Sequence, residues 1–190
     1  QHLEDDDEEH RQGRAEAQQG EAVRGCGRGP LLVRQLDREA EDFAAAAPLF
    51  APLGRATHVG PHGAGQLAKL ANQMIVGITI GAVAEALLLC EKGGADPAQV
   101  RQAMLGGFAD SRILQLHGER MVQRNFTPGA RMGVQLKDMR NALATAEEVG
   151  LQAPITTLFE QLYASAIENG FDQLDHSGLF AELARRNGMQ

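Results

Sequence analysis

The chain has no tryptophan, one tyrosine, two cysteines and only three lysines in 190 residues. Each scarcity excludes something. Two cysteines, Cys26 and Cys90, are too few for the disulfide framework of a small secreted domain. Cys90 lies in an apolar run and reads as a reduced core residue. The N-terminus carries Glu4-Asp-Asp-Asp-Glu-Glu9 where a cleavable signal needs a positive region and an apolar core, so a cytoplasmic setting is expected. The net charge of −7 is concentrated early: residues 1–42 hold 12 acids against 6 bases, and residues 43–190 hold 13 against 12. The body therefore lacks the basic stripe that nucleic-acid binding requires. Its longest apolar stretch, residues 74–90, is interrupted by Glu85 and has no flanking basic cluster. A membrane span takes about 20 apolar residues, so a core helix of a soluble protein is expected here and no membrane partner. Also missing is any Gly-x-Gly-x-x-Gly following a strand, the usual pyrophosphate-binding turn.

What is present is a glycine-rich turn running directly into a long helix, Gly60-Pro-His-Gly-Ala-Gly-Gln-Leu-Ala-Lys-Leu-Ala-Asn72. Glycines at 60, 63 and 65 allow backbone to approach a ligand or partner closely, because no Cβ intervenes. On the helix, Gln66, Lys69, Asn72 and Gln73 recur at three- and four-residue spacing and share a face. The surrounding residues are mostly hydrocarbon, and a buried lone ammonium is costly. Lys69 must either reach solvent or face a cleft that uses its charge. Gly77 and Gly81 form a Gly-x-x-x-Gly pair that permits close helix packing.

The remaining pattern is helical. A short helix is expected over 37–50 with Pro48 near its end, a short strand over 55–59, and the long helix from Gly65 to Lys92, stopped by Gly93-Gly94. Asp96-Pro97 is an N-cap followed by proline at the first helical position, which starts a helix to about Leu105. Further helices fit 110–124, 132–149, 154–168 and 177–187, with short connections typical of a bundle. Adjacent Asp175, His176 and Ser177 cannot converge as a relay, so Asp175 or Ser177 is expected to cap the last helix. No further Cys or His stands at ligand spacing from His58 and His62, and no metal site is expected.

Gly60, Gly63, Gly65, Lys69 and Asn72, then Phe126-Thr-Pro-Gly129, Lys137-Asp138-Met139 and more weakly Asp175-His176-Ser177, resemble in order and spacing the motifs of the β-hydroxyacid dehydrogenases. The resemblance covers roughly residues 40–187. It implies an all-α fold, the helical C-terminal domain of a 6-phosphogluconate-dehydrogenase-like two-domain enzyme, with no counterpart here of the family's Rossmann domain. On that basis residues 1–36 are an acidic segment, disordered or outside the family pattern. Residues 37–64 are the end of a cofactor domain and the glycine turn, and 65–190 an all-helical NAD(P)-binding and dimerisation domain.

The implied reaction moves a hydride between NAD or NADP, with NADP slightly favoured, and a small hydroxy acid or semialdehyde. In it Lys69 is the catalytic acid–base, a role lysine fills when burial or a nearby cation brings its pKa toward the working pH. Asn72 and Gln73 contact substrate, and Lys137 and Gly65 contact cofactor. An ion pair with Asp138 or Glu147 is the structural alternative for Lys137. Without a cofactor domain against it, the long helix exposes more hydrocarbon than a soluble monomer usually carries, so a homo-oligomer is expected. The alternatives to this function are a non-catalytic dimerisation module, or a reductase of imines or other semialdehydes on the same scaffold. Ala130 stands where the family usually has phenylalanine, which bears on pocket shape.

Overall fold

The computed structural model describes residues 40–50, 52 and 54–189. The expectations for residues 1–36, and for Cys26, lie outside them. The chain divides into two compact units between Ala68 and Lys69. Among the described residues there is no strand, and the helices are those of an all-α domain.

In the first unit, α1 (Ala40–Phe50) is alanine-rich, with Glu41 and Asp42 in its first turn, where acids favour the helix dipole. Phe43 stacks on Phe50 with ring centroids 6.2 Å apart and meets the His58 ring at 5.3 Å. The strand expected over 55–59 does not form; residues 54–59 are irregular and exposed. A β-strand needs a ladder partner, and the described residues provide none. At the glycine turn, Gly63 has φ +89°, which a side chain would resist, and Ala64 N donates to Pro61 O at 3.0 Å. This turn launches α2 (Ala64–Lys92), one residue earlier than the pattern suggested.

The second unit, from Lys69, begins inside α2. This helix ends where Gly94 adopts φ +86° and Ala95 N donates back to Cys90 O, closing orphan carbonyls. Next comes α3 (Pro97–Met104), capped by Asp96, whose side chain accepts from Ala98 N at 2.8 Å. Ser111 Oγ caps α4 (Arg112–Val122) by accepting from Leu114 N at 3.0 Å. The bundle continues with α5 (Met132–Glu148) and α6 (Pro154–Ala166). A π-helical turn, Ile167–Phe171, then breaks at Gly170 with φ +89°. A 3₁₀ turn (His176–Gly178) leads into α7 (Leu179–Arg186), so the expected 177–187 helix is two segments. Asp175 caps the 3₁₀ turn by accepting from Ser177 N, while Ser177 itself donates.

The core gathers Ile80, Ala84 and Leu87 of α2 with Leu114, Met121, Met139, Tyr163 and Phe180. The two α2 glycines permit this. A Cβ on Gly77 would stand 2.1 Å from Met139 Cε, and one on Gly81 would stand 1.9 Å from Phe159 Cε1. Helices α5 and α6 thus press their side chains against bare α2 backbone, and Tyr163 Oη donates to Gly77 O at 3.3 Å. The long helix is not buried all round: Ile75 and Leu89 are 66% and 75% exposed. Cys90 is half-buried and free, less enclosed than a core residue. At the C-terminal end, the buried carboxylate of Glu182 accepts from Arg185, Arg186, Ser165 and Asn169, which pins α7 against α6.

Candidate active site

Helical geometry sets Lys69, Asn72 and Gln73 within one turn of each other on α2. Lys69 is exposed, so of the two environments open to a lysine on this apolar helix, solvent is the one realised. Asn72 and Gln73 are half-buried and joined: Asn72 Nδ2 donates to Gln73 Oε1 at 3.1 Å. Gln73 Nε2 in turn donates to Asp138 Oδ2 at 2.7 Å. Asp138 belongs to α5, 6% exposed, and Lys137 beside it on the helix is exposed. Two segments 65 residues apart, the Lys-x-x-Asn turn and the Lys-Asp pair, are therefore tied by a continuous hydrogen-bonded chain.

The backbone is fastened at the same point. Gln135 Nε2 donates to Gln73 O at 3.0 Å, while its own Oε1 is buried without a hydrogen-bond partner. Gln135 had no signal in the sequence pattern, since a glutamine two residues before the Lys-Asp pair looks like ordinary helix surface. Asp138 is taken by Gln73 and not by Lys137, which removes one of the two ion pairs considered for that lysine. Gly65, the other expected cofactor contact, is buried in the first turn of α2, on the N-terminal side of the unit boundary.

A second polar cluster surrounds Asp175, which is 1% exposed. Its Oδ2 accepts from Gly129 N at 2.9 Å and Ala130 N at 3.2 Å, and lies 3.2 Å from Arg120 Nη1. Its Oδ1 accepts from Ser177 Oγ at 2.6 Å and faces His117 Nδ1 at 3.5 Å. Asp175 N donates to Phe126 O, and His176 N to Ala130 O, so the Phe126–Gly129 motif is clamped to the C-terminal segment. Burial by itself would raise the Asp175 pKa, but the facing His117 ring and hydrogen bonds from Ser177 and the Gly129 amide hold it well below the usual carboxylate range. Burial, helped by repulsion from His117, brings His176 down to about 4. The partners His117 and Arg120 come from α4 and left no mark in the sequence pattern, because they lie more than 50 residues before Asp175.

Residues 63–183 match the family model described as NAD-binding of NADP-dependent 3-hydroxyisobutyrate dehydrogenase. Over 142 residues the chain is 49% identical to 2-hydroxy-3-oxopropionate reductase of Escherichia coli, covering 74% of this chain and 49% of that protein. It is 34% identical to 3-hydroxyisobutyrate dehydrogenase of Pseudomonas aeruginosa, covering 66% of this chain and 45% of that one. The chain spans about half the length of these curated relatives. Among solved structures, 3-hydroxyisobutyrate dehydrogenase from Salmonella typhimurium shares the fold with a TM-score of 0.69 at 20% identity, over 75% of this chain and 51% of that one. The Mycobacterium tuberculosis enzyme with L-serine gives 0.69 at 24% identity, over 76% and 52%. The helical fold thus has its counterpart in known enzymes, and the chain belongs to the 3-hydroxyisobutyrate dehydrogenase family.

Proposed function

We propose that this chain supplies the proton-transferring half of an NAD(P)-dependent oxidoreductase acting on a small hydroxy acid or its semialdehyde, of the 2-hydroxy-3-oxopropionate reductase or 3-hydroxyisobutyrate dehydrogenase type. The observation that carries this reading is the Asn72–Gln73–Asp138 chain, which brings the two motif segments to one place. Its donor set suits anions. Asp138, the carboxylate that would repel them, is turned inward onto Gln73, while the ammonium groups of Lys69 and Lys137 face outward.

A bound nicotinamide supplies the hydride, and this chain handles the proton. In reduction, Lys69 Nζ donates to the carbonyl oxygen as the carbon receives hydride; in oxidation it removes the hydroxyl proton. Asn72 and Gln73 hold the substrate, the latter with its amide locked by Asp138. Lys137 and Gly65 contact the cofactor, with NADP preferred. In this reading residues 37–64 end a cofactor domain and 65–190 form the helical domain. The protein works in the cytoplasm as a homo-oligomer, without nucleic acid or membrane. Helix α2 is long and apolar enough to cross a bilayer, but Glu85 and its buried face favour the bundle. The exposed Ile75 and Leu89 support self-association and, as a second reading, a module that only associates.

The roles separate kinetically in a chimera carrying a relative's cofactor domain ahead of Asp37. Asn72→Ala will raise KM for the semialdehyde while leaving KM for NADPH unchanged, and Lys137→Ala will do the reverse. Loss of one hydrogen bond to a charged group predicts roughly tenfold or more in each case, from about 1.5–3 kcal/mol. Both KM values staying at the unsubstituted level in both variants would overturn the site assignment.

A further inference from the structure

The pair His117 and His176 lies outside the proposed reaction and has a geometry of its own. Their Nε2 atoms face each other at 3.3 Å, with the rings nearly perpendicular at 85° and centroids 4.6 Å apart. Asp175 stands behind His117, its Oδ1 3.5 Å from Nδ1, and ligand atoms of all three residues lie within 4.8 Å of one another. His117 Nδ1 is buried and has no hydrogen-bond partner at this distance.

We propose that His117 and His176, with Asp175 behind them, form a binding site for a divalent transition-metal ion of the zinc class, seated between the two Nε2 atoms. Two nitrogens bound to one tetrahedral ion at about 2.0–2.1 Å are separated by roughly 3.3 Å, the spacing these atoms already have. A proton in the same gap makes a ring–ring hydrogen bond, and the ion displaces it, so one proton leaves for each ion that enters. Ligating histidines commonly offer their other ring nitrogen to a carboxylate, which fixes the tautomer. Asp175 is placed for that on the Nδ1 side of His117. It is not a direct ligand, because Oδ1 is held by Ser177 and Oδ2 by Gly129, Ala130 and Arg120. Water completes the coordination.

Occupancy would join α4 to the turn before α7 and stabilise the C-terminal segment. The two histidines are 59 residues apart, so no local ligand spacing in the sequence marks the pair.

Calorimetric titration of the 190-residue chain with zinc chloride tests this, with cobalt(II) as an optical probe. One equivalent is expected to bind with proton release and with a rise in Tm. His117→Gln and His176→Gln should each weaken binding by at least about tenfold and abolish the Tm shift. If a variant fails to fold by circular dichroism, X-ray absorption on the zinc-loaded unsubstituted chain replaces it, and two imidazole ligands are expected. No binding at millimolar zinc would overturn the proposal. So would unchanged affinity in both variants, which would assign the ion to other residues such as His2, His10 or Cys26. A zinc shell without two imidazoles would also overturn it.

Discussion

The 190-residue chain alone will reduce 2-hydroxy-3-oxopropionate with NADPH or NADH at no measurable rate, and joining a relative's cofactor domain ahead of Asp37 will bring turnover. Hydride transfer requires a nicotinamide held about 3–3.5 Å from the reacting carbon, and positioning of that quality is worth roughly 7–11 kcal/mol of barrier. The 190 residues contain no Gly-x-Gly-x-x-Gly turn after a strand to hold the pyrophosphate. Under the proposed function, Lys69 alone supplies no means of positioning that cofactor. Spectrophotometric assay of dinucleotide oxidation, with chain and chimera at matched concentration, checks this. Turnover by the chain unaided would contradict this expectation.

Asp175→Ala will cost about 3–5 kcal/mol of unfolding free energy, the scale for breaking a buried, charge-bearing network. Its removal leaves the amides of Gly129 and Ala130, the Ser177 hydroxyl and the Arg120 guanidinium without their shared acceptor. Urea unfolding measures the loss, and a change under 1 kcal/mol would contradict the clamp. The same cluster sets the acid response. His176 has a folded pKa of about 4 against 6.5 for the free side chain. Its neutral form is the folded one, so this contribution is complete above pH 6.5 and is lost as pH falls toward 4. Asp175, also depressed, holds its contribution above its ordinary 3.8 and loses it at lower pH. Stability measured in chelator should therefore begin to fall below pH 6.5. His176→Gln should flatten the decline between 6.5 and 4, and an unchanged profile in that variant would contradict the assignment.

Most of the helical framework was legible because its signals are local. Asp96-Pro97 states a helix start, Gly93-Gly94 states a stop, and both stand in the structure as read. The close-packing role of Gly77 and Gly81 was likewise readable, since only the absence of a Cβ lets Met139 and Phe159 in. The strand over 55–59 failed because strand formation depends on a partner that propensity cannot supply. The last helix was read whole because its C-terminal periodicity continues smoothly, yet Asp175 accepts the Ser177 amide and tightens the entry into a 3₁₀ turn. The candidate site was visible as residues and invisible as a network. Nothing local in Gln73, Gln135 or Asp138 states that one amide and one carboxylate join α2 to α5. The same holds for His117 and Arg120, whose partner lies beyond α5 and α6 in the chain.

The central claim is that Lys69 carries the proton, and rescue of Lys69→Ala in the chimera by added alkylamines tests it most directly. The account predicts that the substitution lowers kcat by about 10²–10⁴, the range for a positioned general acid. Ethylamine should then restore turnover in proportion to its protonated fraction, with KM for NADPH unchanged. Activity undiminished in Lys69→Ala, or diminished but indifferent to any amine while substrate and cofactor still bind, would contradict it.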